Sequence, residues 1–113
     1  MEIGLDIVEV RRIRRVSRRT PGFLARVFSK EEIAYCRDHK DPWPHYAVRF
    51  AAKEAVWKAL GRDRVALKDI SVGRDGRGKP SVLIKGRRAR GLKLSLSHGE
   101  DYAVAVALKE DKA

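Results

Sequence analysis

One stretch in the middle of the chain constrains the fold more than any other. Residues 49–61 read RFAAKEAVWKALG, a segment rich in helix-forming residues that ends on a glycine suited to a helix C-cap. At about 100° per residue, one arc of such a helix is continuously small and apolar. That arc consists of Ala52, Ala55, Val56, Ala59 and Leu60. We therefore predict a central helix whose alanine face is buried and allows another element to approach closely.

Two charged residues of this helix lie on a different side from the alanines. Glu54 and Lys58 are four residues apart, so their side chains project together. Such a pair is often an ordinary exposed ion pair, which contributes about 0.3–0.5 kcal/mol to stability. The alternative is a pair that lines a narrow cleft. The helix alone does not decide between these two interpretations.

The segments before this helix predict one strand followed by helices. Residues 1–8 alternate in polarity like a strand, with Ile3, Leu5 and Ile7 on one face. Apolar residues then recur at intervals of three between arginines, which predicts an amphipathic helix over about 9–19. A capping box at residues 29–32 opens another helix that runs to about residue 39.

The segments after the central helix predict antiparallel strands. We expect strands at residues 70–72, 81–84, 92–97 and 102–108, with 85–91 as a basic connector of one or two helical turns. Helices thus cluster early and strands late, which predicts an α+β fold. At 113 residues the chain is expected to form one compact domain, 1–113, with an antiparallel sheet packed against the central helix.

The charge balance indicates an anionic partner. The formal net charge is +11, and six arginines fall within residues 11–19. Such a field attracts nucleic acid, acidic protein or phosphorylated small molecules without distinguishing among them. The single cysteine, Cys36, excludes an internal disulfide. The longest clean apolar run has seven residues, too few to span a bilayer, and the N-terminus lacks a secretory signal, so we expect a cytoplasmic protein.

Two carboxylates are candidates for a metal site. Asp6 lies near the end of the first strand, where it can cap the following helix together with Glu9, bind a hard cation, or do both. Glu54 is the second candidate ligand, since Mg²⁺ is commonly held by one or two carboxylates with water and substrate oxygens. Arg49, Lys53 and Lys58 on the same helix would surround a metal-bound polyphosphate with positive charge. His98 follows a strand, where a lone histidine is more often structural than catalytic.

Several of these segments together resemble one protein family. The sequences GLDIVE at 4–9, RFAAKEA with KALG at 49–61, GKP at 78–80, SLSH at 95–98 and DYAVAV at 101–106 occur in family order over nearly the whole chain. They resemble the bacterial holo-[acyl-carrier-protein] synthases, the compact class of 4′-phosphopantetheinyl transferases. The long central motif is the most specific of the matches, and the GKP triplet is the least.

The resemblance implies transfer of 4′-phosphopantetheine from coenzyme A to a serine of apo acyl carrier protein, with release of adenosine 3′,5′-bisphosphate, in fatty acid biosynthesis. It also implies a homotrimer with active sites between protomers. Carried over residue by residue, it makes Asp6 and Glu54 the Mg²⁺ ligands, and these two with Lys58 the catalytic residues. The implied coenzyme contacts are Arg49, Lys53, Lys58 and His98, and the implied carrier contact on the basic helix is Arg12. We expect Arg15 on the same helix to contact the carrier as well.

Some points stay open at the level of sequence. The base that deprotonates the serine is either Lys58 or a water on the metal. Residues 62–64 read RDR where the family commonly has small residues, so the adenine-side contacts stay open. The connector at 85–91 is also shorter than the helix that the family usually has there. The competing class is a small basic nucleic-acid-binding protein. With 7% aromatic residues and no recognised reader motif, we expect neither nucleic-acid nor membrane binding.

Overall fold

The structure, a computed structural model, describes residues 1–61 and 65–110. Within these residues there are four helices and six strands, with a 3-10 turn at Leu67–Asp69. The predicted helices and strands occur in the predicted order, and the short second helix and the fourth strand are additional. The helices are α1 (Val10–Arg19), α2 (Phe23–Val27), α3 (Lys30–Arg37) and α4 (Trp43–Leu60). The strands are β1 (Glu2–Glu9), β2 (Ile70–Arg74), β3 (Pro80–Ile84), β4 (Arg87–Arg88), β5 (Leu92–His98) and β6 (Tyr102–Lys109). The α+β prediction is confirmed.

The strands form two antiparallel sheets of three strands each. The first sheet has the order β1-β6-β5 and brings the N-terminal strand against the C-terminal one. The second has the order β2-β3-β4. Helix α4 contacts both sheets and also α1 and α3, so it forms the centre of the molecule. None of the helices in residues 1–61 and 65–110 combines the length and the hydropathy that crossing a membrane requires.

The alanine face of α4 sets the distance between the helix and the first sheet. Ala52, Ala55 and Ala59 are buried there, as predicted. Gly4 of β1 lies so close that a Cβ atom at this position would overlap the carbonyl oxygen of Ala55. Because neither element carries a large side chain at the contact, β1 runs directly along α4. This close approach places Asp6, two residues beyond Gly4, beside the charged side of the helix.

The predicted alternation of β1 is present, and its apolar side faces away from α4. Gly4 and Val8 are buried toward the helix, whereas Ile3, Leu5 and Ile7 are exposed. The register places Leu5 opposite Val106, which continues an apolar row onto β6. One face of the first sheet is therefore apolar and open in the single chain.

The connector after β3 differs from the predicted one or two helical turns. Lys85 and Gly86 form a tight turn with positive φ angles of 52° and 81°, and Arg87 and Arg88 pair with the end of β3. After the turn, the backbone of Arg87 and Arg88 pairs with β3 in the second sheet and not with a helical neighbour, so no helix forms here. Helix α4 begins at Trp43, six residues before the stretch 49–61, and Pro44 occupies its first turn, where a missing N–H costs little.

Candidate active site

Asp6 and Glu54, 48 positions apart in the sequence, line the same cavity. Its volume is about 290 Å³, and it lies between β1, α1 and α4. We refer to it as the carboxylate cavity, and its remaining lining consists of Ile7, Val8, Arg12, Ile13, Val16, Phe23 and Phe50. The apolar lining lowers the local dielectric constant and so strengthens the field of the two acids and Arg12.

Lys58 connects α4 to Asp6 at the side of this cavity. Its Nζ donates a hydrogen bond to Oδ1 of Asp6 at 3.2 Å and another to the carbonyl oxygen of Leu5 at 2.9 Å. The side chains of Lys58 and Asp6 are 31% and 18% exposed, so a ligand can reach both. Of the pair on α4, Glu54 lines the cavity, whereas Lys58 is not among its lining residues and borders it through the bond to Asp6.

The donor set of the carboxylate cavity fits a hard divalent cation. Two carboxylate residues line the same cavity. In residues 1–61 and 65–110 no group of three or more His, Cys, Asp or Glu side chains is arranged to hold a metal. Oxygen ligands from two acids, with water and substrate supplying the rest, suit Mg²⁺ better than metals that prefer nitrogen or sulfur. Asp6 and Glu54 are therefore the residues that would hold such a cation.

A second cavity lies on another side of α4, against β5. Its volume is about 260 Å³, and we refer to it as the basic cavity. Its titratable lining consists of Tyr35, Arg49, Arg74, His45 and His98, and the described residues that line it include no carboxylate. Two of the predicted coenzyme contacts, Arg49 and His98, thus border the same space although they come from different halves of the chain.

Arg49 lines the basic cavity, and its side chain has a buried N–H group that makes no hydrogen bond within the described residues. Its side chain is only 5% exposed, and its guanidinium carbon lies 4.0 Å from the centre of the Tyr35 ring. Within the described part of the chain, its Nε atom has no hydrogen-bond partner. A buried cationic donor without a partner is costly, and an anionic ligand in the cavity would relieve this cost.

Lys53 has surroundings different from those predicted for a coenzyme contact. It is fully buried, and its Nζ pairs with Oε1 of Glu32 at 2.7 Å and donates a hydrogen bond to the carbonyl oxygen of Ile70. Burial lowers the pKa of Lys53, and the charge of Glu32 opposes that change. Because Lys53 lines neither cavity, the structure gives it the role of connecting α4 to α3 and β2 instead of touching a ligand.

The sequence did not identify Glu32 as part of this connection. The capping box is present as predicted, with Ser29 and Glu32 bonding each other's backbone N–H groups. The other carboxylate oxygen of Glu32 accepts a hydrogen bond from the N–H of Val72 at 2.9 Å. A capping glutamate is normally exposed, so local pattern carried no sign of this second, long-range role.

The two arginines predicted to contact a carrier protein occupy different positions on α1. Arg12 lines the carboxylate cavity, whereas Arg15 belongs to an exposed patch. We call this patch the arginine surface, and it comprises Arg11, Arg14, Arg15, Arg18 and Arg19. The predicted adenine-side contacts at 62–64 lie outside the described residues.

Fold and site together define a small α+β protein in which a metal-competent carboxylate pair and a basic cavity flank one helix. This is the class of protein expected to bind a phosphorylated ligand with a divalent cation. Residues 2–107 match the family model described as the 4′-phosphopantetheinyl transferase superfamily, and the chain belongs to this family. It is accordingly a 4′-phosphopantetheinyl transferase.

Curated relatives support this assignment over the whole chain. A holo-[acyl-carrier-protein] synthase of Moorella thermoacetica is 45% identical over 97% of this chain and 94% of its own. The protein of the same name from Caldanaerobacter subterraneus subsp. tengcongensis is 40% identical over 94% of this chain and 91% of its own.

Solved structures show the same fold. The holo-[acyl-carrier-protein] synthase of Neisseria meningitidis superposes with a TM-score of 0.82, at 33% identity over 97% of this chain and 98% of that one. The synthase of Bacillus anthracis, solved in complex with coenzyme A (3′,5′-ADP), superposes with a TM-score of 0.79. It is 33% identical over 95% of this chain and 93% of its own.

Proposed function

We propose that this protein transfers 4′-phosphopantetheine from coenzyme A to a serine hydroxyl of an apo acyl carrier protein, with Mg²⁺ as cofactor. The observation that carries the proposal is the shared cavity of Asp6 and Glu54, with Lys58 bonded to Asp6 at its side. Relatives that match nearly the whole chain carry the name of this activity, and one relative binds coenzyme A. The proposed compartment is the cytoplasm, and the proposed pathway is fatty acid biosynthesis.

In the proposed reaction the serine oxygen forms a bond to the phosphorus that carries pantetheine. The bond from that phosphorus to the bridging pyrophosphate oxygen breaks, and adenosine 3′,5′-bisphosphate leaves with that oxygen. The serine proton passes to solvent. When bound by Asp6 and Glu54, Mg²⁺ would offset negative charge on the pyrophosphate.

Lys58 acts in this proposal as a cation. Its Nζ forms an ion pair with Oδ1 of Asp6 and donates a hydrogen bond to the carbonyl oxygen of Leu5, which places the lysine charge beside the carboxylate cavity. A positive charge beside the two carboxylates compensates the negative charge of the entering pyrophosphate and of the leaving bisphosphate. Of the two candidate bases left open by the sequence, we therefore set Lys58 aside.

The basic cavity supplies the proposed contacts for another anionic part of coenzyme A. Arg49 and His98 border it from α4 and from the end of β5, and the Nε of Arg49, which has no hydrogen-bond partner within the described residues, offers a donor to a phosphate oxygen. Charge-assisted bonds from a guanidinium to a phosphate are shorter and stronger than neutral ones. Lys53 is not part of this proposal, because it is buried in its pair with Glu32.

The proposed protein partner is an acidic carrier protein that docks on α1. The arginine surface presents positive charge on the side of α1 that does not pack against the core, while Ile13 is buried beneath it. Arg12 lies at the junction of that helix and the carboxylate cavity. A carrier held by α1 would therefore bring its serine toward Asp6 and Glu54.

We also propose that three copies of the chain cover the open apolar face of the first sheet. The register aligns three rows across β1, β6 and β5, which are Ile3–Leu108–Lys93, Leu5–Val106–Ser95 and Ile7–Val104–Ser97. In each row β1 and β6 contribute apolar residues and β5 contributes a polar one, and the residues of β1 are exposed. Exposed apolar patches of this kind mark interaction surfaces. Sedimentation equilibrium is expected to give three times the chain mass, and a monomer at all concentrations would contradict the trimer.

A single incubation tests the proposed activity. The protein is mixed with coenzyme A, Mg²⁺ and an apo carrier protein, and the carrier is then weighed by mass spectrometry. The expected result is a gain that matches one 4′-phosphopantetheine and disappears when a chelator removes the metal. An unchanged carrier mass with several carriers, together with tight and salt-sensitive binding to DNA or RNA, would support the nucleic-acid-binding alternative instead.

A further inference from the structure

All three histidines of the chain lie in one row beside the basic cavity. The rings of His39 and His45 are stacked, with centroids 3.6 Å apart and an angle of 27° between their planes. The ring of His45 meets that of His98 edge-on at 5.4 Å. His45 and His98 line the cavity, whereas His39 lies behind His45 and is not among the lining residues. The row thus leads from the end of α3, through α4, to the end of β5.

The central histidine of this row is surrounded mainly by cationic and aromatic groups. The Tyr35 ring meets His45 edge-on with a centroid distance of 5.9 Å. Burial lowers the pKa of His45, and the charges of His39, His98 and Arg49 lower it further, while Asp41 raises it. The titratable and charged groups that face His45 from the surrounding elements are Tyr35, His39, Asp41, Arg49, Arg74 and His98.

We propose that His45 is a further substrate-binding residue, which takes up a proton when a phosphate group of the substrate enters the basic cavity. This inference rests on the proposed use of coenzyme A. In the free protein, the neighbouring cations disfavour a positive charge on the His45 ring. An entering phosphate compensates those cations and offers an acceptor to the ring N–H, so phosphate binding and protonation favour each other.

The direction of the pH dependence follows from this linkage. The pKa of His45 lies below its ordinary value in the free protein and is raised when an anion is bound. Between these two pKa values, binding consumes a proton, so affinity falls as pH rises. For one coupled proton, the dissociation constant increases by at most about tenfold per pH unit within that range.

His39 holds and tunes His45 without reaching the cavity. Its Nδ1 lies 2.8 Å from the carbonyl oxygen of Tyr35, and because a carbonyl only accepts, Nδ1 carries the proton of this bond. The bond fixes the His39 ring in its stack against His45. Two stacked imidazoles resist double protonation, so His39 shifts the pH at which His45 becomes charged.

The phosphate that enters the basic cavity has two possible sources in coenzyme A. One is the phosphate on the ribose, and the other is the pyrophosphate. Dephospho-coenzyme A keeps the pyrophosphate and lacks the ribose phosphate, so it separates the two. Proton uptake with coenzyme A alone would assign the ribose phosphate to the cavity, as the proposed function expects. Equal uptake with both ligands would assign the pyrophosphate to the basic cavity and would contradict its proposed position at Asp6 and Glu54.

The test is calorimetric titration of the full chain with each ligand from about pH 5.5 to about pH 8. Buffers of different ionisation enthalpy report the number of protons taken up on binding. The wild-type protein is expected to take up more protons than His45→Gln, whose residual pH dependence reports the ligand's own ionisation. His39→Gln is the matched control, because it leaves the cavity lining intact. This variant should still take up the proton, but at higher pH, because the loss of His39 raises the pKa of His45.

Equal proton uptake by the wild-type protein and His45→Gln would overturn the inference. The same variants are assayed for transfer to the carrier at one fixed pH. If transfer occurs while uptake is equal, the role of His45 is wrong and the proposed function stands. If no transfer occurs while the difference in uptake remains, the proposed function fails and the anion site stands.

Discussion

Two lysines of α4 form ion pairs of the same chemistry in opposite surroundings. Lys53 and Glu32 are 0% and 1% exposed and pair at 2.7 Å. Lys58 and Asp6 are 31% and 18% exposed and pair at 3.2 Å. Both pairs join the central helix to a carboxylate far away in the sequence, so residue type and sequence separation do not distinguish them.

The two ion pairs differ in the other hydrogen bonds and the surroundings of their carboxylates. Both oxygens of Glu32 are occupied, since they accept bonds from Lys53 and from the N–H groups of Ser29 and Val72. The pair of Lys58 and Asp6 instead borders the carboxylate cavity. A buried and saturated pair cannot exchange its partners for a ligand, whereas a partly exposed pair beside a cavity can. We therefore regard the first pair as structural and the second as functional.

The largest expected effect is at Glu54, which shares the cavity with Asp6. Glu54→Gln keeps the size of the side chain and removes the charge needed to hold a divalent cation. Transfer to the carrier should fall by about a thousandfold, equivalent to about 4 kcal/mol. Thermal unfolding followed by circular dichroism serves as the control for the fold. Wild-type activity in this variant would remove Glu54 from the metal site.

The next largest effect is on the free energy of unfolding and concerns the buried pair of Lys53 and Glu32. Glu32→Ala leaves Lys53 buried without its counter-charge and removes the capping bond of α3. The free energy of unfolding measured in urea should decrease by about 3–5 kcal/mol. Glu31→Ala changes the exposed neighbour in the same helix and should cost no more than about 0.5 kcal/mol. Similar losses in the two variants would contradict the structural role of the pair.

A smaller effect tests whether Lys58 acts through its charge. Lys58→Ala should lower kcat/KM for coenzyme A by about 10- to 100-fold, because the cation beside Asp6 is lost. Lys58→Arg keeps the charge and cannot release a proton at neutral pH, so it should retain activity within about tenfold of the wild type. If steady-state kinetics show equal losses in both variants, Lys58 is the base after all.

The smallest effect concerns docking. Arg12→Glu and Arg15→Glu should each raise the KM for the carrier by about tenfold or less, since exposed charge pairs are weak and screened by salt. Arg15→Glu should leave the KM for coenzyme A unchanged, because Arg15 lies outside both cavities. The effect should decrease as salt is added. A loss that is independent of salt and equal for both substrates would exclude the docking role of α1.

Local patterns in the sequence were sufficient for much of the fold. The alanine face of α4, the capping box of α3, the alternation of β1 and the apolar strand β6 were predictable, because each depends on residues within a few positions of one another. The family motifs also pointed to Asp6 and Glu54, which the structure brings into one cavity. The connector at 85–91 was predicted wrongly, since its pairing partner in β3 decides its conformation.

What the sequence determined by itself is how side chains are arranged around one element. Helical periodicity places Glu54 and Lys58 together on α4 and separates them from the alanines. Only the tertiary structure decided which residues and cavities lie against each side of α4. It buried Lys53 against Glu32, left Lys58 beside a cavity, and aligned three histidines from distant segments. The physical reason is that burial and charge pairing depend on neighbours brought together by folding, which no local period encodes.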